Sequence, residues 1–326
     1  MDIKRLKSKN GMEYFELDTP IQFILVGSSG VGKTSLLVSL YAQMITFGCL
    51  GVFLPREEKH EDVLRKQYEK MSQSLSGKTG VFGGIEKTDD VCSYAYELVG
   101  NVKNRRFVFP VCFKDIPGGY YKGGNLNDAD RKEFRDIFKA SKVFMICIDA
   151  PSLMNKQDDG VTICSHFNQY LGSMTSENTG LKIIFIFCKS ESYTFEDMVK
   201  RLRSSSYNAI IDKCIHKKIP VEVTYIHTLG GVKFEKYNES NEPIFNIVGE
   251  YVPKNCEVPL LRALEHSADW IKTELVKKNS GFIQWIMNFF GLSQSGIAEE
   301  VIKQIAKELH CEKLKNKEHY WDLSKE

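Results

Sequence analysis

Residues 21–34 read Ile21-Gln22-Phe23-Ile24-Leu25-Val26-Gly27-Ser28-Ser29-Gly30-Val31-Gly32-Lys33-Thr34. The first six form a near-continuous apolar run, the pattern of a parallel strand buried on both faces. The next eight follow the spacing G-x-x-x-x-G-K-T, and a helical pattern runs from Lys33 to about Met44. A strand entering glycines and leaving as a helix is the context in which this spacing holds phosphate. Gly27, Gly30 and Gly32 permit a tight turn, so that backbone N–H groups there and at Ser29 and Val31 can surround an anion. The helix N-terminus adds partial positive charge. Lys33 would reach the β- and γ-phosphates, Thr34 would ligate Mg²⁺, and Ser35 would donate to the α-phosphate. The loop reads as a site for a purine nucleoside triphosphate with Mg²⁺, without choosing GTP over ATP.

Outward from this loop, apolar runs alternate with helical patterns from about 21 to 275, the signature of a sheet with helices on its faces. Leu64, Tyr68, Met71 and Leu75 recur at helical spacing within Pro55 to Gly80, which predicts an inserted amphipathic helix. The runs Cys92 to Val99 and Arg105 to Phe113 flank a turn-like stretch and predict an antiparallel hairpin whose second strand ends at Asp115. Phe134, Ile137 and Phe138 mark a short helix before the strand Val143 to Ile148. Val161, Cys164, Phe167, Leu171 and Met174 mark the next helix, and Leu181 to Phe187 its strand. A helix near Phe195 to Ser204 precedes the strand Val221 to Ile226, and a helix from Leu260 to Leu275 closes the unit. This is an α/β chain with about six strands, mostly parallel. It divides into an N-terminal segment, 1–20, a main domain, 21–275, with a helical insertion at about 55–80, and a C-terminal helical extension, 276–326. In that extension Ile297, Val301, Ile305 and Leu309 form one apolar stripe that must pack on the main domain or on a partner.

Composition excludes several function classes. The chain has 326 residues, 42% hydrophobic and 26% charged, with a net charge of +2, which matches ordinary globular protein of about two typical domain lengths. The near-neutral balance provides no global attraction to nucleic acid or anionic membrane. The nine cysteines are dispersed without C-x-x-C or Cys/His spacing, so no zinc site is expected and a reduced, cytoplasmic setting is. The charged start MDIKRLKSKNG lacks the apolar centre of a signal peptide. Phe282 to Leu292 is about half a membrane span. Docking on the sheet domain is the expected fate of this segment, with an interfacial membrane helix as the alternative.

Asp115-Ile116-Pro117-Gly118, placed after the second hairpin strand, together with the loop 27–34, resembles the D-x-x-G motif of the Ras-like and translation-factor superclass of P-loop GTPases. The resemblance covers about 21–275 and implies a three-layer P-loop sandwich. It further implies that Asp115 holds Mg²⁺ through water and that the Gly118 N–H senses the γ-phosphate, so that loss of the phosphate releases the following loop. The superclass orders a threonine before the hairpin onto Mg²⁺, which falls to Thr88, with Thr79 as runner-up. Lys33, Thr88 and Gly118 are thus the implied catalytic residues. For the base, the superclass presents N-K-x-D. Here the run is Cys188-Lys189-Ser190-Glu191: Lys189 matches, Glu191 offers a carboxylate to guanine from a longer arm, and Cys188 replaces the asparagine. Thr228 and Leu229, in His227-Thr228-Leu229-Gly230-Gly231, fall where the superclass contacts the base through its backbone. More narrowly, the motif set looks like the GTPase domains of bacterial signalling and defence systems.

Ras-like enzymes place a glutamine after the D-x-x-G glycine to orient water. Here Gly119, Tyr120 and Tyr121 follow, and none can do so. Slow hydrolysis of GTP to GDP, assisted by a partner or by Arg131 or Arg135, is the expectation, although those arginines also fit a solvated helix face. Expected partners are GTP and a protein effector or activator. Two alternatives stay open: a P-loop ATPase or nucleotide kinase, for which Asp149 is the lone acid after an apolar strand, and a nucleotide-loaded interaction module without significant turnover.

Overall fold

The structure is a computed structural model that describes residues 3–7, 13–17, 19–46, 53–56, 58–76, 91–102, 105–118, 132, 136–157, 160–173, 180–237, 243–277 and 319–325. Its strands are β1 (Ile3–Lys7), β2 (Glu13–Leu17), β3 (Ile21–Val26), β4 (Phe53–Pro55), β5 (Cys92–Val102), β6 (Arg105–Asp115), β7 (Val143–Asp149), β8 (Lys182–Cys188), β9 (Val221–Tyr225), β10 (Val232–Tyr237), β11 (Pro243–Ile247) and β12 (Tyr320–Asp322). The helices are α1 (Lys33–Thr46), α2 (Glu58–Ser76), α3 (Ala150–Met154), α4 (Val161–Ser173), α5 (Phe195–Arg203), α6 (Asn208–His216) and α7 (Glu257–Lys277).

Side-chain alternation along three central strands creates two cores. On β3, Phe23 and Leu25 face one layer while Ile24 and Val26 face the other. On β7, Val143, Met145 and Cys147 alternate with Phe144, Ile146 and Ile148, and on β8, Ile184, Ile186 and Cys188 alternate with Ile183, Phe185 and Phe187. Every residue of β7 and β8 is buried, as expected when helices cover both faces of a parallel sheet. Leu36, Leu37, Leu40 and Tyr41 of α1 and Leu260, Leu261 and Leu264 of α7 fill the first layer. Ile163, Phe167 and Leu171 of α4, with apolar residues of α5 and α6, fill the second.

The order β5-β6-β3-β7-β8-β9 contains the six expected strands, with β5 antiparallel to β6 and the rest parallel. Among the described residues the sheet grows to ten strands. β4 pairs antiparallel with β5, and β12 pairs antiparallel with β9. β2 pairs with β6 at Tyr14↔Arg106 through Glu16↔Val108, and β3 continues along the same strand from Ile21↔Val111 to Leu25↔Asp115. Because β5 occupies β6 along its whole length, β2 and β3 lie end to end on its other edge, and β1 pairs with β2. Part of the stretch expected only as an N-terminal segment is therefore sheet.

The inserted helix is present as α2, with Leu64 and Met71 in the first layer beside α1. The helix expected near Phe195 to Ser204 is α5, and a second helix that was not expected, α6, follows it before β9. β10 and β11 form a separate two-stranded hairpin after β9. The stripe Ile297 to Leu309 and the segment 282–292 lie outside the described residues. Among the described residues, no helix is long and apolar enough to cross a membrane, and none of the seven described cysteines is in a disulfide.

Candidate functional site

The loop 27–34 leaves the end of β3 and crosses the sheet where β6, β7 and β8 also end. Its fit there is close. A Cβ placed on Gly27 would lie 2.6 Å from the Cys147 carbonyl oxygen of β7, so this position accepts only glycine without displacing the strand. The first α1 turn is closed by Leu36 N–H donating to the Gly32 carbonyl at 2.9 Å. Val31 is buried, Ser35 is half-buried, and Ser29 and Gly30 are exposed at the rim.

Lys33 is buried, and its Nζ donates to the carbonyls of Gly27 at 3.0 Å and Ser28 at 3.2 Å. The Thr34 hydroxyl donates to Asp115 Oδ2 at 2.7 Å, joining residues that the sequence separates widely. Asp115 is fully buried. Burial pushes its carboxyl pKa up, while Lys33 and the Thr34 hydroxyl pull it back. Its second oxygen, Oδ1, has no hydrogen-bond partner among the described residues. A buried carboxylate with an orphaned oxygen beside a hydroxyl is an incomplete oxygen donor set, and a hard divalent cation that keeps its waters fits it.

Gly118 closes the loop from the other side. A Cβ there would fall 2.0 Å from the Ser29 N, so the D-x-x-G turn rests directly on the backbone that the glycines shape. Beneath Gly32, the Cys188 Cβ would be 3.6 Å from an added Cβ. The neighbouring Cys147 thiol and burial push the Cys188 thiol pKa far up, so it stays neutral.

The run after β8 turns sharply. Lys189 sits at φ 55°, in the left-handed region, and its buried Nζ pairs with Asp149 at the end of β7. Ser190 donates to the Ile226 carbonyl at 3.1 Å. Glu191 Oε2 is buried without a hydrogen-bond partner among the described residues, and burial pushes its carboxyl up to about 7 against the opposing pull of its own backbone N–H and Lys189. Across from this turn, the Thr228 carbonyl accepts from Ser39 of α1 at 2.7 Å, and Leu229 packs into the first core layer. His227 and Lys254 exchange backbone hydrogen bonds at 3.0 and 2.9 Å, which brings Cys256 beside Glu191.

Of the residues expected at the site, the loop 27–35, Asp115 and Gly118 gather around one turn, and Lys189, Glu191, Thr228 and Leu229 gather beside it. Thr88, Thr79, Arg131, Arg135 and 119–121 lie outside the described residues. Sequence reasoning missed Ser39 and the 254–256 strand bridge, for which no local pattern exists. It weighed Asp149 only as an acid, although Asp149-Ala150-Pro151 is a helix-start signal. Asp149 Oδ1 indeed accepts from Ser152 N at 3.0 Å.

A glycine-shaped turn at a helix N-terminus, a buried lysine and a hydroxyl–carboxylate pair is the chemistry that binds a polyphosphate with a divalent cation. The Double-GTPase 2 family profile matches residues 24–226, from within β3 to just past β9. Among solved structures, the chain is similar to the signal recognition particle receptor SRb-GTP/SRX complex from Chaetomium thermophilum. That similarity has 14% identity and a TM-score of 0.38, and covers 66% of this chain and 93% of that chain. No curated protein matches the chain.

Proposed function

This chain belongs to the Double-GTPase 2 family, and from that premise we propose that it is a magnesium-dependent GTP switch that hydrolyses GTP to GDP slowly and depends on a protein partner for fast turnover. The observation that carries the reading is the buried Asp115, tied to Thr34 at 2.7 Å with its second oxygen unpartnered. In this reading Thr34 holds Mg²⁺ through its hydroxyl and Asp115 holds it through water. The cation supplies neutralisation of charge on the β- and γ-phosphates.

The protein's own residues do the rest. The backbone of Gly27, Ser29, Gly30, Val31 and Gly32 cradles the phosphates, Lys33 approaches the β- and γ-oxygens, and Ser35 donates at the α-phosphate. Gly118 would sense the γ-phosphate through its N–H, a role supported by its close approach to Ser29, and Thr88 would add a hydroxyl ligand to the cation. Lys189 and Glu191 recognise guanine, with the 228–229 backbone alongside. An unpartnered buried carboxylate suits the two donors on the guanine edge, and adenine leaves it unsatisfied.

Slow turnover follows from side-chain chemistry. Phosphoryl transfer to water needs the water oriented and the developing charge neutralised. No glutamine follows Gly118, so an activator's side chain, or Arg131 or Arg135 within the chain, supplies what is missing. The expected result with purified protein is GTP hydrolysis well below about one turnover per second, and several turnovers per second unaided would overturn the switch. Titration with GTPγS and ATPγS, with Mg²⁺ and with EDTA, should show selective GTPγS binding that weakens on chelation. Asp115→Asn should abolish the Mg²⁺ increment while leaving the melting temperature equal or higher, because burial disfavours the carboxylate that the substitution removes. An undiminished Mg²⁺ increment in that variant would remove Asp115 from the cation site.

A further inference from the structure

We propose that Asp149 is a specificity-determining residue for guanine that acts by positioning Lys189; this rests on the reading above that Lys189 and Glu191 meet the base. The two groups come from different strands. Asp149 ends β7 and stands opposite Cys188 in the parallel register, so Lys189, the next residue, emerges beside it at the sheet end that carries the phosphate loop. Both side chains are about nine-tenths buried, and Lys189 Nζ pairs with Asp149 Oδ2. Asp149 is itself held, because Oδ1 accepts from Ser152 N at 3.0 Å as the cap of α3.

The pairing matters because a lysine is a poor recognition element when loose. Its four-carbon stem samples many rotamers, and a base that must freeze them binds less well. Here the head group is locked, and a left-handed backbone at φ 55° makes the stem a preset wall. The lock extends to Glu191 two residues on. Lys189 is pinned by Asp149, Ser190 by the Ile226 carbonyl at 3.1 Å, and Tyr193 N–H closes the turn onto the Ser190 carbonyl at 3.1 Å. Two-donor recognition of guanine tolerates little misplacement, so releasing one pin weakens GTP more than ATP. With Cys188 where the N-K-x-D motif has asparagine, the carboxylate on β7 supplies a fixing contact from the adjacent strand.

The test measures GTPγS and ATPγS affinities by titration with Mg²⁺ at pH 8.5, where Glu191 is ionised, for the unaltered chain, Asp149→Asn, Lys189→Met and the double variant. Asparagine can still cap α3, so Asp149→Asn removes the charge pair and spares the helix. The expected result is a fall of about tenfold or more in the GTP-to-ATP preference for Asp149→Asn. The double variant should show the same preference as Lys189→Met alone, since a residue acting through another has no effect once that other is gone. An unchanged preference, equal losses for both nucleotides, or a double variant worse than Lys189→Met overturns the positioning role. Should Asp149→Asn melt early, the double variant leaves no charge unpaired, and its comparison with Lys189→Met decides in the same way. No GTP preference in the unaltered chain would instead overturn the base-site reading beneath.

Discussion

Glu191 is a carboxylate kept at the edge of ionisation. Burial raises it to about 7, well above an ordinary glutamate, so between about pH 4.5 and 7 the folded chain keeps a proton that the unfolded chain has lost. Its contribution to stability is therefore fully present below the unfolded value and is lost as pH rises through 7. Guanine donors need the ionised form, so ligand binding runs the other way. GTPγS affinity should rise about tenfold between pH 6 and pH 8, and in Glu191→Gln the part of that rise owed to this side chain should disappear. Calorimetric titration at pH 6, 7 and 8 on both proteins checks it, and identical pH profiles would take the base contact away from Glu191. The phosphate loop was legible in the chain because a backbone anion site needs glycines at fixed spacing, a demand visible in one dimension. The partner of Lys189 was not, because Asp149 reaches it only through the register of two parallel strands.

At the scale of elements, α2 is held by what it buries. Leu64 and Met71 are fully enclosed against α1, and Tyr68 meets Tyr41 and Tyr251 at ring distances of 6.5 and 5.8 Å. Its charged face carries exposed pairs such as Arg65 with Asp62 at 2.6 Å, which water screens and which hold the helix only weakly. Met71→Ala should thus cost about 2–5 kcal/mol in urea unfolding, whereas Arg65→Ala should leave the unfolding midpoint almost unchanged. Equal costs would mean that α2 is not docked as described. The helix was readable because an apolar stripe of period 3.6 survives among charges. β4 and β12, three residues each, are too short to carry a period of two, and α6, a nine-residue helix after the one expected near Phe195 to Ser204, was not expected.

Across the whole molecule, one buried charge cluster ties the sheet to its last helix. Glu222 of β9 accepts from Arg262 Nε of α7 at 2.8 Å and pairs with Lys182 of β8 at 2.9 Å, while Arg262 also reaches Glu265. Burial alone would raise Glu222, but two cations share its one carboxylate and bring it below the ordinary value. That stabilisation is present above the unfolded pKa and lost as pH falls through the folded one. Glu222→Gln should lower unfolding free energy by about 3–5 kcal/mol at pH 7, since it leaves buried cations uncompensated. A loss below about 1 kcal/mol in denaturant titration would show that Glu265 and water suffice.

Arg262 also lies 4.2 Å from the centre of the Tyr320 ring on β12, and this contact joins chain positions that 278–318 separates. β12 is thus tied to α7 by this ring contact and to β9 by strand pairing. Because an open sheet edge is a row of unpaired backbone groups that another chain can extend, β12 shields the outer edge of β9 from such pairing.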